Sequence, residues 1–192
     1  LEVCRARFGD GIDYHLGDGR TLTPVRDGSV DFVFSFESLI HTELEDLASY
    51  LQEVARVLKP GGSCFLHHSN LGHYSHYFSW VRRVPLALRE RLQSRGILDF
   101  DGWRALTVSH KRLKERAELV GLSVLSQELV PWGGRRLIDC FSILQRGSPE
   151  REYQFLENRK FVERAAEINR FDCAYRASRP NEDLDEESSR RV

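Results

Sequence analysis

The stretch LKPGGSCFLHHSN, residues 58–70, joins the end of one predicted element to a second element with a polar end. Pro60 cannot continue a helix, and the pair Gly61–Gly62 can adopt the positive φ angles that turn a chain sharply. The apolar run 63–67 then predicts a strand, and the polar residues 67–70 occupy its carboxyl end. The stretch therefore predicts a buried strand that delivers a polar cluster to one edge of a sheet.

The residues before this stretch predict a parallel crossover unit. Apolar side chains keep a helical spacing throughout residues 43–58, which predicts the clearest helix of the chain. VDFVFSF, residues 30–36, is a near-continuous apolar run of the kind found in strands that are covered on both faces. A strand, a helix and a strand with short connections form a parallel unit, and open sheets of such units bind ligands at the carboxyl ends of their strands.

The same patterns predict further elements on both sides of this unit. They are a helix at 1–8 ending at Gly9, a strand at 12–16, a helix at 109–120, an antiparallel hairpin formed by 122–130 and 137–144, and a helical stretch at 149–177. Residues 71–108 break the rhythm with aromatic and basic side chains, which is typical of a cap over a site. Residues 179–192 are too polar to pack and are predicted to be disordered.

Composition excludes several classes of protein. The chain has 192 residues, 41% of them hydrophobic, and a net charge of -1, so no overall field attracts nucleic acid or an anionic membrane. No apolar run reaches the roughly 18 residues of a spanning helix, and no signal peptide opens the chain. The four cysteines are far apart, and Cys4, Cys64 and Cys140 fall inside apolar elements, which favours buried free thiols. We therefore expect a soluble, cytoplasmic protein.

Four motifs in order resemble the second half of a class I S-adenosylmethionine-dependent methyltransferase. They are GDGRTL at 17–22, VDFVFSFESLIH at 30–41, YLQEVARVLKPGG at 50–62, and the closing pair GLSVLSQE at 121–128 with LIDCFSIL at 137–144. Each motif is weak alone, and their order and spacing carry the resemblance. The resemblance implies a Rossmann-like α/β sheet of strand order 3-2-1-4-5-7-6 with a terminal antiparallel hairpin.

The resemblance also implies that this chain is N-terminally truncated. In the family the first strand ends in a glycine-rich cofactor loop and the second ends in an acid that binds the ribose, and neither feature is found here. The opening helix is similar to the one that follows the second strand. We therefore expect a methyltransferase domain at 1–146 with a cap insertion at 71–108, a helical extension at 147–178, and the tail. Strands 12–16 and 30–34 would not be neighbours, and 30–34 would pair only with the strand from Ser63.

The cofactor implied by the resemblance is S-adenosylmethionine, and four positions match residues that contact it. Asp18 matches the residue that accepts a hydrogen bond from the adenine amino group, with the Gly19 backbone beside it. Ser35 and Phe36, at the carboxyl end of their strand, would lie along the cofactor. Taken by itself, Asp18 between two glycines is equally typical of a carboxylate that stabilises its own turn.

Three histidines are candidates for a base, because a neutral imidazole suits proton transfer near neutral pH. They are His41, His67 and His68. Neighbours on a strand point to opposite faces, so at most one of His67 and His68 faces a substrate, and we favour His68 because it lies nearer the strand end. All three could equally be structural hydrogen-bonding groups. The histidines at 67, 68, 73 and 76 lack a nearby carboxylate and match no zinc spacing, so we expect no metal.

The sequence thus predicts a methyltransferase, with O-methylation of a small-molecule or saccharide hydroxyl as the reaction. No nucleic-acid or membrane partner is expected, and the oligomeric state is left open. A non-catalytic partner protein of the same fold is the alternative. A nicotinamide-dependent oxidoreductase is less favoured, because the chain lacks a Tyr-x-x-x-Lys pair and has the closing hairpin.

Overall fold

A five-stranded mixed sheet organises the computed structural model, which describes residues 1–132, 134–149 and 151–178. The strands are β1 (Val30–Leu39), β2 (Leu58–Ser69), β3 (Leu122–Val130), β4 (Asp139–Arg146) and β5 (Gln154–Glu157). The helices are α1 (Glu2–Phe8), α2 (Leu44–Val57), α3 (Ser75–Arg83), α4 (Leu86–Ser94), α5 (His110–Leu119) and α6 (Phe161–Ser178), and a short 3₁₀ helix spans Leu71–Tyr74. The predicted tail at 179–192 lies outside the described residues.

The parallel crossover unit predicted from the sequence is confirmed. β1 and β2 pair in parallel, with Phe34 opposite Phe65 and Ser35 opposite Leu66, and α2 connects them. Helix α2 buries an apolar stripe that includes Leu47, Leu51 and Val54. The chain passes directly from helix to strand at Leu58. Gly61, with a φ angle of 78°, then turns the chain. This turn aims the rest of β2 along β1.

The order of the strands is β1-β2-β4-β3-β5, and it confirms the predicted sheet class. β4 lies between β2 and β3 and runs antiparallel to both. The second strand of the closing hairpin therefore pairs with β2, and the first strand lies outside it. The first four strands in this order reproduce the 4-5-7-6 part of the expected arrangement. Ser109 caps α5 as predicted, since its hydroxyl accepts a hydrogen bond from the Arg112 N–H.

The outer edge of β1 is unpaired in the described sheet, which confirms the prediction that residues 30–34 pair on one side only. The predicted strand at 12–16 is wrong, because the described backbone there forms no strand. Ile12 and Leu16 are 52% and 85% exposed. A strand needs a neighbour to satisfy its backbone groups, and this segment pairs with none of the described strands.

β1 is covered on one face and not on both, so that expectation also needs correction. Val33 packs against the main core, which α2 and α5 form with the sheet. On the other face Phe32 and Phe34 are 54% and 65% exposed. The near-continuous apolar run is nevertheless the pattern of a strand that is covered on both faces.

The cysteine prediction is correct for two residues and wrong for one. Cys64 and Cys140 are buried as expected, whereas Cys4 is exposed.

The C-terminal part differs from the helical prediction for residues 149–177. Gln154–Glu157 forms strand β5, which pairs in parallel with β3, and the helix begins only at Phe161. A four-residue strand is too short for its alternation to stand out in sequence. The chain divides into two compact units, Leu1–Arg159 and Lys160–Val192, and α6 lies in the second. None of the described helices is both long enough and apolar enough to cross a membrane.

Candidate active site at the carboxyl edge of the sheet

Asp18 lies in a tight turn that its own carboxylate stabilises. Oδ1 accepts hydrogen bonds from the N–H groups of Arg20 at 2.8 Å and Thr21 at 2.7 Å, and Oδ2 accepts one from the Thr21 hydroxyl at 2.9 Å. These bonds, the Thr21 N–H first among them, lower the pKa of the Asp18 carboxyl. The carboxylate is therefore ionised, exposed and fixed in direction.

Tyr50 connects this turn to the cavity beside β1. Its hydroxyl donates a hydrogen bond to the Gly19 carbonyl, and Gly19 has a φ angle of 77°. Tyr50 and Ser35 both line a cavity of about 300 Å³ between β1 and α2. The other lining residues are Leu22, Val33, Phe34, Ser38, Leu39, Thr42, Val54 and Leu66. The structure thus places Ser35 on the wall of the cavity and Gly19 in contact with Tyr50 of the same wall.

The residues around this cavity fit the adenosine half of S-adenosylmethionine. Asp18 Oδ1 already accepts two hydrogen bonds, whereas Oδ2 has a single partner, so Oδ2 can accept a hydrogen bond from an adenine amino group. The cavity walls are mainly apolar, and the hydroxyl groups of Ser35, Ser38 and Tyr50 add donors and acceptors. Such a mixture is typical of pockets that hold a flat, partly polar ligand.

Phe36 lies on the opposite face of the sheet from that cavity. Its ring centroid is 4.9 Å from that of His67, 6.1 Å from that of Phe141 and 6.4 Å from that of Trp132. These four rings form an aromatic cluster at the carboxyl end of β2. Phe36 is 41% exposed, so it forms the outer surface of the cluster, while His67 is fully buried beneath it.

His67 has one partnered and one unpartnered ring nitrogen. Nδ1 accepts a hydrogen bond of 3.3 Å from the Glu37 N–H, and Nε2 has no hydrogen-bond partner. Glu37 has a φ angle of 56°, in the left-handed region that costs about 1–3 kcal/mol for such a residue. This irregular point in β1 turns the Glu37 N–H toward the imidazole. Strained backbone of this kind clusters at functional sites.

Asp139 and Arg104, neither of which was predicted from the sequence, form a buried ion pair next to His67. Asp139 Oδ1 lies 3.7 Å from His67 Nε2. Arg104 binds the carboxylate through two nitrogens, with its Nη2 at 2.7 Å from Oδ2. Both side chains are almost completely buried. A lone aspartate at the start of the apolar run IDCFSIL was the available signal, since a buried carboxylate requires a partner.

His68 points into the core on the other face, as the alternation of a strand requires. Its Nδ1 lies 2.8 Å from the Ser69 carbonyl and its Nε2 lies 2.8 Å from the Ser142 hydroxyl. Complete burial lowers the pKa of His68 to about 4. The preference for His68 as the base stays a prediction, and this geometry argues against it because both nitrogens are occupied.

His41, Ser69 and Asn70 each form a hydrogen bond with a backbone carbonyl of another segment. His41 is exposed, and its Nδ1 lies 3.1 Å from the Trp103 carbonyl. Ser69 donates to the Ala105 carbonyl, and Asn70 binds the Leu137 carbonyl and His110. Within residues 1–132, 134–149 and 151–178, no three His, Cys, Asp or Glu side chains come together as a metal site.

The sheet order is that of the class I methyltransferase fold. The family described as a methyltransferase domain matches residues 1–66. Together the fold and the match over residues 1–66 support the resemblance recognised from the sequence, to the S-adenosylmethionine-dependent methyltransferases, and S-adenosylmethionine is the cofactor of that class.

Particular relatives match part of the chain. It is 39% identical over 72 residues to the biotin biosynthesis bifunctional protein BioHC of Cellvibrio japonicus, covering 38% of this chain and 13% of the relative. It is 43% identical over 65 residues to the ubiquinone/menaquinone biosynthesis C-methyltransferase UbiE of Desulfotalea psychrophila, covering 33% and 25%. The PH0226 protein of Pyrococcus horikoshii OT3 has a similar fold, with a TM-score of 0.50, 21% identity, and coverage of 76% of this chain and 64% of that one. The chain thus spans an eighth to a quarter of the length of the two curated relatives.

Proposed function

We propose that the protein transfers a methyl group from S-adenosylmethionine to a hydroxyl of a small molecule or saccharide. One observation carries the proposal. In a chain whose residues 1–66 match a methyltransferase domain, the carboxyl edge of the sheet carries a ligand-sized cavity beside β1 and a buried polar cluster at the end of β2. The cavity and the cluster lie on opposite faces of the sheet at this edge, so a cofactor whose adenosine half occupies the cavity would have to extend over the carboxyl edge to reach the acceptor side.

The cofactor side of the proposed site is the Asp18 turn and the cavity lined by Ser35 and Tyr50. Asp18 Oδ2 would accept from the adenine amino group, and the Ser35 and Tyr50 hydroxyls would bind polar groups of the nucleoside. When bound, the sulfonium of the cofactor supplies an electrophilic methyl group. The chain's own residues then have to hold an acceptor in line with it, and correct placement of two reactants is equivalent to effective molarities of about 10⁵–10⁸ M.

The acceptor side of the proposed site is the aromatic cluster around His67. Aromatic faces bind the apolar face of a sugar or a planar ring, and Phe36, the exposed member, is available for such a contact. His67 and Asp139 supply a buried donor and a buried acceptor of the kind that recognises a hydroxyl. Water is displaced from such a site, which favours transfer to the acceptor over hydrolysis.

Calorimetric titration of the complete gene product with S-adenosylmethionine, and separately with NADH, tests the proposal. Saturable binding of S-adenosylmethionine without binding of NADH is the expected result. Mass spectrometry of a panel of alcohols and glycosides incubated with the protein and cofactor then detects a mass gain of one methylene. Cofactor binding without transfer to any hydroxyl would favour another acceptor atom, and no cofactor binding would favour a non-catalytic partner.

A further inference from the structure

Two buried polar atoms face each other across a short gap at the carboxyl edge of the sheet. They are His67 Nε2 and Asp139 Oδ1, 3.7 Å apart, and both side chains are fully buried. This separation is too long for a hydrogen bond between them. His67 Nε2 has no other partner, although an unpaired buried polar group destabilises the folded state. The gap is therefore a place where one more oxygen atom would satisfy both groups.

The hydrogen bond from Glu37 determines which of the two atoms is the donor. His67 Nδ1 accepts from the Glu37 N–H, so Nδ1 carries no hydrogen. A neutral imidazole has one hydrogen, and it must then lie on Nε2. His67 accordingly presents an N–H to the gap and cannot take a proton there.

Arg104 determines the state of the other atom. Its guanidinium donates to both oxygens of Asp139 in a bidentate arrangement, the geometry of an arginine–carboxylate ion pair, in which the carboxylate accepts hydrogen bonds. Each carboxylate oxygen has two lone pairs, and Arg104 uses one of those on Oδ1. The remaining lone pair on Oδ1 is available to a hydroxyl in the gap.

We propose that the gap between His67 and Asp139 binds the reacting hydroxyl oxygen of the acceptor, with His67 as its hydrogen-bond donor and Asp139 as its proton acceptor. This inference rests on the proposed function and assigns the roles within its acceptor site. Arg104 is a positioning residue that acts through Asp139. His67, which the sequence analysis considered as a base, is the oxygen-binding donor in this assignment.

The proton and electron balance of the transfer agrees with these roles. A lone pair of the acceptor oxygen forms the new O–CH₃ bond while the C–S bond breaks and its electron pair goes to sulfur, which becomes a neutral thioether. The oxygen would then be positive, and its proton passes to Asp139 Oδ1. A hydroxyl that is gaining a methyl group becomes strongly acidic, so a carboxylate is a sufficient acceptor.

Phe36 is the most exposed of the aromatic side chains that pack around His67. Its ring lies against His67 and is 41% exposed, whereas Phe141 and Trp132 close the other sides of the imidazole. A rotation of the Phe36 side chain would open a path from solvent to Nε2. The acceptor would then replace Phe36 over the imidazole.

The side-chain nitrogens of His67 report on this proposal directly, before any natural acceptor is known. The complete gene product is labelled with ¹⁵N-histidine, and long-range ¹H–¹⁵N spectra assign the tautomer, with His67→Gln identifying the signals. We expect the Nε2–H tautomer at neutral pH. Methanol, the smallest alcohol, is the probe, and we expect a saturable shift of the Nε2 resonance.

Two variants with the same chemical change separate the proposed role from general disturbance. Asp139→Asn should weaken the methanol response of His67 about tenfold, the difference between a charged and a neutral acceptor. Asp99→Asn changes another aspartate that forms an ion pair with an arginine, in this case Arg136. This variant should leave the response unchanged. If Asp139→Asn does not fold, the wild-type measurement alone still decides.

Three outcomes would overturn the inference: the Nδ1–H tautomer in the wild-type protein, an Nε2 resonance that responds to no concentration of methanol, or equal responses in wild type and Asp139→Asn. None of these depends on the cofactor, since the spectra are recorded without it. Absence of S-adenosylmethionine binding would instead refute the proposed function and leave the hydroxyl-binding gap in place. The two failures are therefore distinguishable.

Discussion

At the scale of single residues, His67 and His68 show how strand alternation gives two adjacent identical side chains different chemistry. His68 faces the core, where both nitrogens have partners and burial lowers its pKa to about 4. His67 faces the aromatic cluster and keeps one nitrogen without a partner. The strand prediction placed them on opposite faces, and only their surroundings show which one has an unsatisfied atom.

Asp18→Asn tests whether the Asp18 carboxylate binds the cofactor or only stabilises its turn. Asparagine keeps one side-chain oxygen for the Arg20 and Thr21 N–H groups, so the turn and the free energy of unfolding should be nearly unchanged. The second oxygen becomes an NH₂ group that repels the adenine amino group. We expect the affinity for S-adenosylmethionine to fall about 10- to 100-fold, measured by calorimetry. Asp13→Asn, an exposed neighbour, is the control, and unchanged affinity in Asp18→Asn would leave Asp18 with the turn role alone.

The lowered pKa of His68 predicts a loss of stability in acid. A histidine with a depressed pKa in the folded state contributes its full stability above the unfolded value of 6.5 and loses it as pH falls toward about 4. Between pH 7.5 and 4.5 this loss is on the order of 2–3 kcal/mol, and burial of His110 acts in the same direction. Urea unfolding of wild type and His68→Gln at both pH values measures it. The variant should lose less stability on acidification, and equal losses would contradict the assignment.

At the scale of elements, the turn near the start of β2 depends on two glycines for different reasons. Gly61 needs its positive φ angle, and a Cβ there would meet nothing within 4 Å. At Gly62 a Cβ would lie 2.9 Å from the Lys59 carbonyl, 3.1 Å from that of Asp31 and 3.2 Å from that of Val30. The first glycine supplies backbone freedom, and the second lets β1 approach the turn.

Gly62→Ala should therefore destabilise the protein more than Gly61→Ala. Two of the three oxygens belong to β1 and cannot move aside without displacing that strand, and overpacking of this kind costs up to about 3 kcal/mol. Gly61→Ala should cost about 1 kcal/mol, the strain of a left-handed alanine. Urea denaturation of the two variants under identical conditions makes the comparison. Equal costs, or a larger cost at Gly61, would show that contact with β1 does not constrain the turn.

At the scale of the whole molecule, the open edge of β1 and the apolar face beside it are the main exposed features of the described sheet. Phe32 and Phe34 are more than half exposed, Ile143 is 39% exposed, and the backbone of β1 has no partner on its outer side. An unpaired edge next to an exposed apolar surface promotes association between chains.

We expect the 192-residue chain to self-associate at micromolar concentrations and Phe34→Lys to reduce this association. A lysine on an edge strand discourages edge-to-edge pairing, and the exposure of Phe34 should keep the change in unfolding free energy near 0.5 kcal/mol. Sedimentation velocity over a concentration series measures the effect. Leu119→Lys, which changes an exposed apolar residue at the end of α5, is the control. A monomeric wild-type chain, or equal effects of both substitutions, would contradict the prediction.

The sequence by itself determined the elements whose signals are local. Four such signals each depend on residues within one element: the helical spacing of the apolar side chains in α2, the helix stop at Pro60 and the glycines, the Ser109 cap, and the alternation of apolar residues in the closing hairpin. The order of these elements was enough to recognise the fold class. The strand at 12–16 failed because strand formation needs a partner, and β5 was missed because four residues carry too little periodicity.

Only the tertiary structure decided which polar residues form the candidate site. Arg104, Asp139 and His67 come from a loop and two strands that are far apart in sequence, and no local pattern shows that they meet. Burial and partners, which set whether a histidine is satisfied or presents a free N–H, are properties of the packed chain. The physical reason is that hydrogen bonds and desolvation act between groups that folding brings together. Helical and strand periodicity depends only on the order of apolar and polar residues along the chain.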